Sequence, residues 1–200
     1  NAPAAGGEEI LGGSPNGDWA SGWADYQCIT VSHGRSATAT STLSMTSGRQ
    51  FFWPFTAANT GDLTSIGLNI KVAVASQNVR CGIYNADDDG NPSDLIGYAD
   101  FDASSTGEQF VTSLSDTITL ERGTLYWYAV AQTTGGSDAS LDGMNCTYAG
   151  ASYLSANTYP KSWTMVNYTT TGELSDPAKV DEMRGGSAGY PPAHVAIGWL

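Results

Sequence analysis

Ile66, Leu68, Ile70, Val72 and Val74 recur at a strict period of two, with Gly67, Asn69, Lys71 and Ala73 between them. Successive side chains of a strand point to opposite faces, so this run predicts a strand with one face on a core. A helix would scatter the same residues around its axis. Val79, Cys81 and Ile83 repeat the alternation, again facing inward. Residues 125–131 (Leu-Tyr-Trp-Tyr-Ala-Val-Ala) are apolar or aromatic on both faces and predict a central strand.

Further strands are predicted over residues 95–101, 109–120, 141–148 and 193–200. Residues 27–32 and 37–45 are Thr/Ser-rich and predict a hairpin turning at His33-Gly34-Arg35. Gln50-Phe51-Phe52-Trp53-Pro54-Phe55 reads as an edge or a strand end because of its Pro. Glu121-Arg122-Gly123 reads as a tight reversal between two paired strands. The short stretch 176–183 is the sole helix candidate. Many short strands without intervening helices predict an all-β antiparallel sandwich, jelly-roll-like, over residues 26–200. Residues 1–25 are rich in Gly, Ala, Pro and Ser and read as an N-terminal arm or linker. Trp19 and Trp23 within it are candidate docking residues, toward the domain, a sister chain or a larger assembly.

Charge narrows the partners. Eight Lys+Arg against twenty Asp+Glu give a net charge of −12. Nucleic-acid phosphates need cations, so that partner is excluded, as is an anionic membrane surface. No stretch approaches the roughly 20 apolar residues of a spanning helix. Cys28, Cys81 and Cys146 are widely spaced, form no zinc pattern, and read as buried small apolar residues. The chain starts at Asn1 without Met or a signal-peptide pattern, and the expectation is a processed chain or a piece of a longer one.

Several segments occur in a distinctive order. They are Phe51-Phe52-Trp53-Pro54-Phe55, the alternating strand, Arg80-Cys81-Gly82-Ile83-Tyr84 and the acidic loop Asp87-Asp88-Asp89-Gly90-Asn91-Pro92. Ser105-Thr106-Gly107 and Gly123-Thr124-Leu125-Tyr126-Trp127 follow. Together they resemble the β-sandwich module of tailed-bacteriophage structural proteins, found in tail fibres, spikes and head fibres. The resemblance spans residues 48–132, and Pro191-Pro192-Ala193-His194-Val195-Ala196-Ile197 resembles the Pro-then-strand ending of such modules. It implies a virion protein without catalytic residues that contacts other virion proteins and a host surface, or decorates the particle. It also implies a homo-oligomer, with a trimer favoured.

Two residue groups suggest binding chemistry. Asn85, Asp87 and Asp89 alternate before Gly90 like the first half of a calcium loop, but Ile96 stands where the loop's last carboxylate would be. The plainer reading is an acidic turn shaped by Asp, Asn, Gly and Pro. Tyr148, Tyr153, Tyr159, Trp163 and Tyr168, interleaved with Asn145, Asn157 and Asn167, are candidate glycan contacts on loops of a rigid scaffold. The alternative is that they staple long loops to the sandwich or pack at a subunit interface. Enzyme chemistry has no support: there is no GxSxG elbow or phosphate loop, and His33 and His194 lie far apart. A non-enzymatic fibre or spike is therefore the leading expectation. A capsid decoration protein and a secreted carbohydrate-binding module are the alternatives. No cofactor is expected apart from the calcium candidate.

Overall fold

The computed structural model describes residues 26–28, 40–133, 136–144, 165–168, 173–179, 184–185, 193 and 195–199. These residues form thirteen strands and no helix. In chain order they are β1 Tyr26–Cys28, β2 Thr40–Ser44, β3 Arg49–Thr56, β4 Gly61–Val72, β5 Asn78–Ala86, β6 Pro92–Asp102 and β7 Gly107–Val111. Then come β8 Thr119–Leu120, β9 Leu125–Gln132, β10 Ser140–Met144, β11 Met165–Tyr168, β12 Arg184–Gly185 and β13 Val195–Trp199.

All pairings are antiparallel, in two sheets. The six-stranded sheet runs β12-β11-β3-β9-β5-β6. The seven-stranded sheet runs β1-β13-β4-β10-β2, with β7 and β8 also on β4. β13 follows β4 from Leu63 to Leu68, and β10 continues at Ile70 and Val72. β7 pairs with Ile66–Ile70, so it must hold the opposite edge of β4.

The core lies between the sheets. Ile66, Leu68 and Ile70 from β4, Val195 and Ile197 from β13, and Leu43 and Leu141 come from one side. Phe51 and Trp53 from β3, Cys81 and Ile83 from β5, and Tyr128 and Val130 from β9 come from the other. Trp53 and Tyr128 stack with ring centroids 5.2 Å apart. The period-two run thus builds the predicted strand, with two departures at its end. Val72, the last residue of β4, is 48% exposed, and Val74 lies beyond the strand and only packs on the core margin. Strand β9 is central as predicted and buried from Tyr126 to Gln132.

Other expectations change. β1 pairs with β13 and β2 with β10, not with each other. A Thr/Ser-rich hairpin has little to bury, whereas β10 sets Leu141 opposite Leu43 over the core. β3 is interior to its sheet, between β9 and β11. The ladder with β11 covers Arg49–Phe52, so Pro54 sits past its end, where no ladder donor is required. The strand predicted over 109–120 divides into β7 and β8. Glu121–Gly123 then carries the chain from one sheet to the other instead of closing a hairpin. No helix forms at 176–179, where the chain bends at Asp176 and Pro177.

Candidate functional site

Phe52, Pro54, Arg80, Gly82, Tyr84 and Trp127, all from the resemblance-bearing segments, meet on the outer face of the six-stranded sheet. Register places Gln50, Phe52 and Pro54 of β3 beside Ala131, Ala129 and Trp127 of β9. Those three lie beside Arg80, Gly82 and Tyr84 of β5, which oppose Asp100, Tyr98 and Leu95 of β6. Ala129, Ala131 and Gly82 make a shallow trough of small residues between aromatic walls. Phe52, Tyr84 and Trp127 form those walls, with Phe52 and Tyr84 edge-to-face at 5.2 Å.

Residues 173–179 lie across the trough as a strap. Leu174 and Ala178 join Phe52, Tyr84, Trp127, Ala129 and Ala131 in a second apolar cluster. The strap is tied down by hydrogen bonds. Gln50 Nε2 donates to Glu173 O, and Ser175 Oγ donates to Gln50 Oε1 at 3.1 Å. Tyr84 OH donates to Ser175 O at 2.8 Å. Leu95 N–H donates to Asp176 Oδ1 at 3.1 Å, and Ala178 N–H donates to Ser93 O at 2.7 Å. Gly82 carries no side chain, which leaves room above β5 at this point. The occupant is aliphatic Leu174, and no pattern in 173–179 marks it as a covering element.

The acidic loop joins the same face. Asp87 Oδ1 accepts the N–H groups of Asp89 (3.0 Å) and Asn91 (2.7 Å), and Oδ2 accepts from Asn91 Nδ2 at 3.2 Å. Gly90 takes φ +78°, which a two-strand reversal needs here. Trp127 Nε1 donates to Gly90 O at 3.1 Å and anchors the loop to the sheet. Asn85 takes part through its backbone, accepting from Ser93 Oγ. Among the described residues no group of three or more His, Cys, Asp or Glu side chains is placed to hold a metal ion. Asp87 instead organises the turn itself.

Beyond the strap, Arg80 Nε and Nη2 donate to the two oxygens of Asp100 at 2.7 and 2.9 Å. The same guanidinium lies 3.8 Å over the Tyr98 ring. The Asp100 bond raises the Arg80 pKa, against the desolvation of partial burial, with Tyr98 and Glu173 adding to the rise. Burial pushes Tyr84 well above the usual phenol range, and nearby Asp176 pushes the same way. Burial likewise raises the thiol of Cys81, which is free and fully buried as expected. Arg80, Tyr84 and Asp87 on this face are thus each engaged in hydrogen bonds within the chain.

Of the predicted site residues, Asn85, Asp87 and Asp89 fall in this loop. Trp19, Trp23, Tyr148, Tyr153, Asn157, Tyr159 and Trp163 lie outside the described residues, and of Tyr168 only its place on β11, opposite Arg49, is described. No family model matches the chain, and no curated protein matches it.

Proposed function

We propose that this chain is a non-enzymatic structural protein of a tailed-phage virion, a fibre or spike whose jelly-roll-like sandwich contacts a host surface glycan. One observation carries the reading. Arg80-x-Gly82-x-Tyr84, the acidic loop and Trp127 converge on one outer face. Each has a structural task there: Gly82 admits Leu174, Tyr84 binds the strap, and Trp127 anchors the loop. Motif residues engaged this way suit a rigid scaffold that displays loops. The acidic, Lys-poor composition suits a particle that stays soluble and avoids nucleic acid. Glycan contact is assigned to Tyr148, Tyr153, Asn157, Tyr159, Trp163 and Tyr168 on the sequence argument given above.

Immunogold labelling of purified particles, with antibody against residues 49–200, tests the assignment. Gold at the tail or spike tips is expected, and gold spread over the capsid would favour a decoration protein. Trp163→Ala and Tyr159→Ala are expected to abolish cell binding with the fold intact. Unchanged binding would sink the glycan role.

A further inference from the structure

Among the described residues β6 stands at one end of the six-stranded sheet and β2 at one end of the seven-stranded sheet, and these two edges differ. On β6, Ser115 N–H donates to Tyr98 O at 2.9 Å, and Ser115 Oγ accepts from Tyr98 N–H at 2.9 Å. Gln109 Nε2 donates to Asp102 O at 2.7 Å, and the strap takes Leu95 N–H and Ser93 O. An edge blocked in this way cannot template another chain.

β2 is treated otherwise. Met45 N–H donates to Ala139 O at 2.8 Å, one step beyond the Ser44–Ser140 pair. Opposite residues of an antiparallel ladder alternate between bonded and non-bonded pairs. Leu43–Leu141 and Ser41–Gly143 are therefore bonded pairs. Thr40, Thr42 and Ser44 turn their N–H and C=O groups away from β10. Among the described residues nothing pairs with that edge. The β2–β10 register has no bulge, and β2 holds no Pro and no charge, so the usual devices that repel a second chain are missing. Between Arg35 and Arg49 no residue is charged, in a chain of net charge −12.

We propose that the β2 edge pairs antiparallel with β2 of a second copy, on a two-fold axis at Thr42. Thr42 then opposes its own copy and Thr40 opposes Ser44, each pair exchanging two N–H···O bonds. The exposed Thr42 side chains form a Thr–Thr cross-strand pair, a favourable one. Two acidic bodies meet where neither carries charge. The nearest acid, Asp142 opposite Thr42 on β10, is held by Lys71 Nζ at 3.4 Å. The contact is isologous and closes as a dimer, in place of the trimer implied by resemblance. It does not depend on the virion reading.

Sedimentation velocity of the full chain over a wide concentration range tests this, with amide exchange at β2. A concentration-dependent dimer is expected. The Thr42 and Ser44 amides should gain protection as it forms, while the Leu43 amide, bonded to β10, is protected throughout. Thr42→Pro and Thr42→Lys should weaken association by at least about tenfold, or 1.4 kcal/mol. Neither removes a bond of the chain's own ladder, so the melting temperature should hold. If Thr42→Pro misfolds, Thr42→Lys decides, since it sets like charges opposite each other. A monomer at every concentration, a trimer, or a dimer indifferent to Thr42→Lys overturns the proposal. So do Thr42 and Ser44 amides protected regardless of dilution, because the chain itself would then cover the edge.

Discussion

Leu174 fills the space that a side chain at Gly82 would need. A Cβ built on Gly82 would collide with Leu174 Cδ1 and stand 2.8 Å from Leu95 Cδ1. The glycine in the middle of β5 is therefore a socket. It lets the strap sink onto the sheet until Ser175 O reaches Tyr84 OH and Asp176 reaches the Leu95 amide.

Gly82→Val should displace Leu174 and lift the strap, with a loss of about 1–3 kcal/mol in urea unfolding. Leu174→Ala alone should lose about 2 kcal/mol. The double variant should lose clearly less than the sum, because removing the plug makes room for the valine. Strict additivity would mean that the two residues do not share the site.

The sandwich was legible because its signal is local. Period two along 66–70 and 79–83 marks the inward faces without knowledge of partners. Pairing was less legible, since β1 and β2 find their partners on β13 and β10, far along the chain. A Thr/Ser strand carries no mark of which distant neighbour it joins. The strap was invisible for a related reason: Leu174 and Ala178 are ordinary residues until the trough above Gly82 exists. Loop chemistry fell in between. The Asp-x-x-Gly-Asn pattern announced a turn, and within it the Asp87 carboxylate accepts the Asp89 and Asn91 N–H groups.

The Arg80–Asp100 pair is partly exposed, with side-chain exposures of 20% and 50%, so its contribution is modest. Asp100→Asn should lose about 0.5–1 kcal/mol at low salt. Molar salt should shrink the gap between variant and wild type by screening the pair. Arg80→Lys should lose a similar amount despite keeping the charge, since an ammonium reproduces neither the two-point bond nor the flat stacking on Tyr98. A lysine variant as stable as wild type would show that charge alone matters there.

Asp87→Ala removes an acceptor for three donors within the turn and should lose about 1 kcal/mol. Trp127 indole fluorescence should respond, because its Nε1 is bonded to Gly90 O in the same loop. Calcium should leave the wild-type melting temperature where EDTA leaves it. A calcium-dependent rise that Asp87→Ala abolishes would instead make the loop a cation site.

Cys81 and Tyr84 predict how stability responds to alkali. Burial raises both groups in the folded state, so the folded chain keeps protons that the unfolded chain releases. Their contributions are fully present below the unfolded values, about 8.5 for a thiol and 10 for a phenol. Stability should be flat in this respect up to about pH 8.5. Above that, each group past its unfolded value should remove about 1.4 kcal/mol per pH unit until its own folded value is reached. Urea midpoints across this range separate the two. Cys81→Ala should abolish the decline that starts near the thiol value and leave the one that starts near the phenol value, and Tyr84→Phe should do the reverse. If Cys81→Ala keeps the wild-type slope between these two values, the thiol is not held neutral in the core, and its burial between the sheets is wrong.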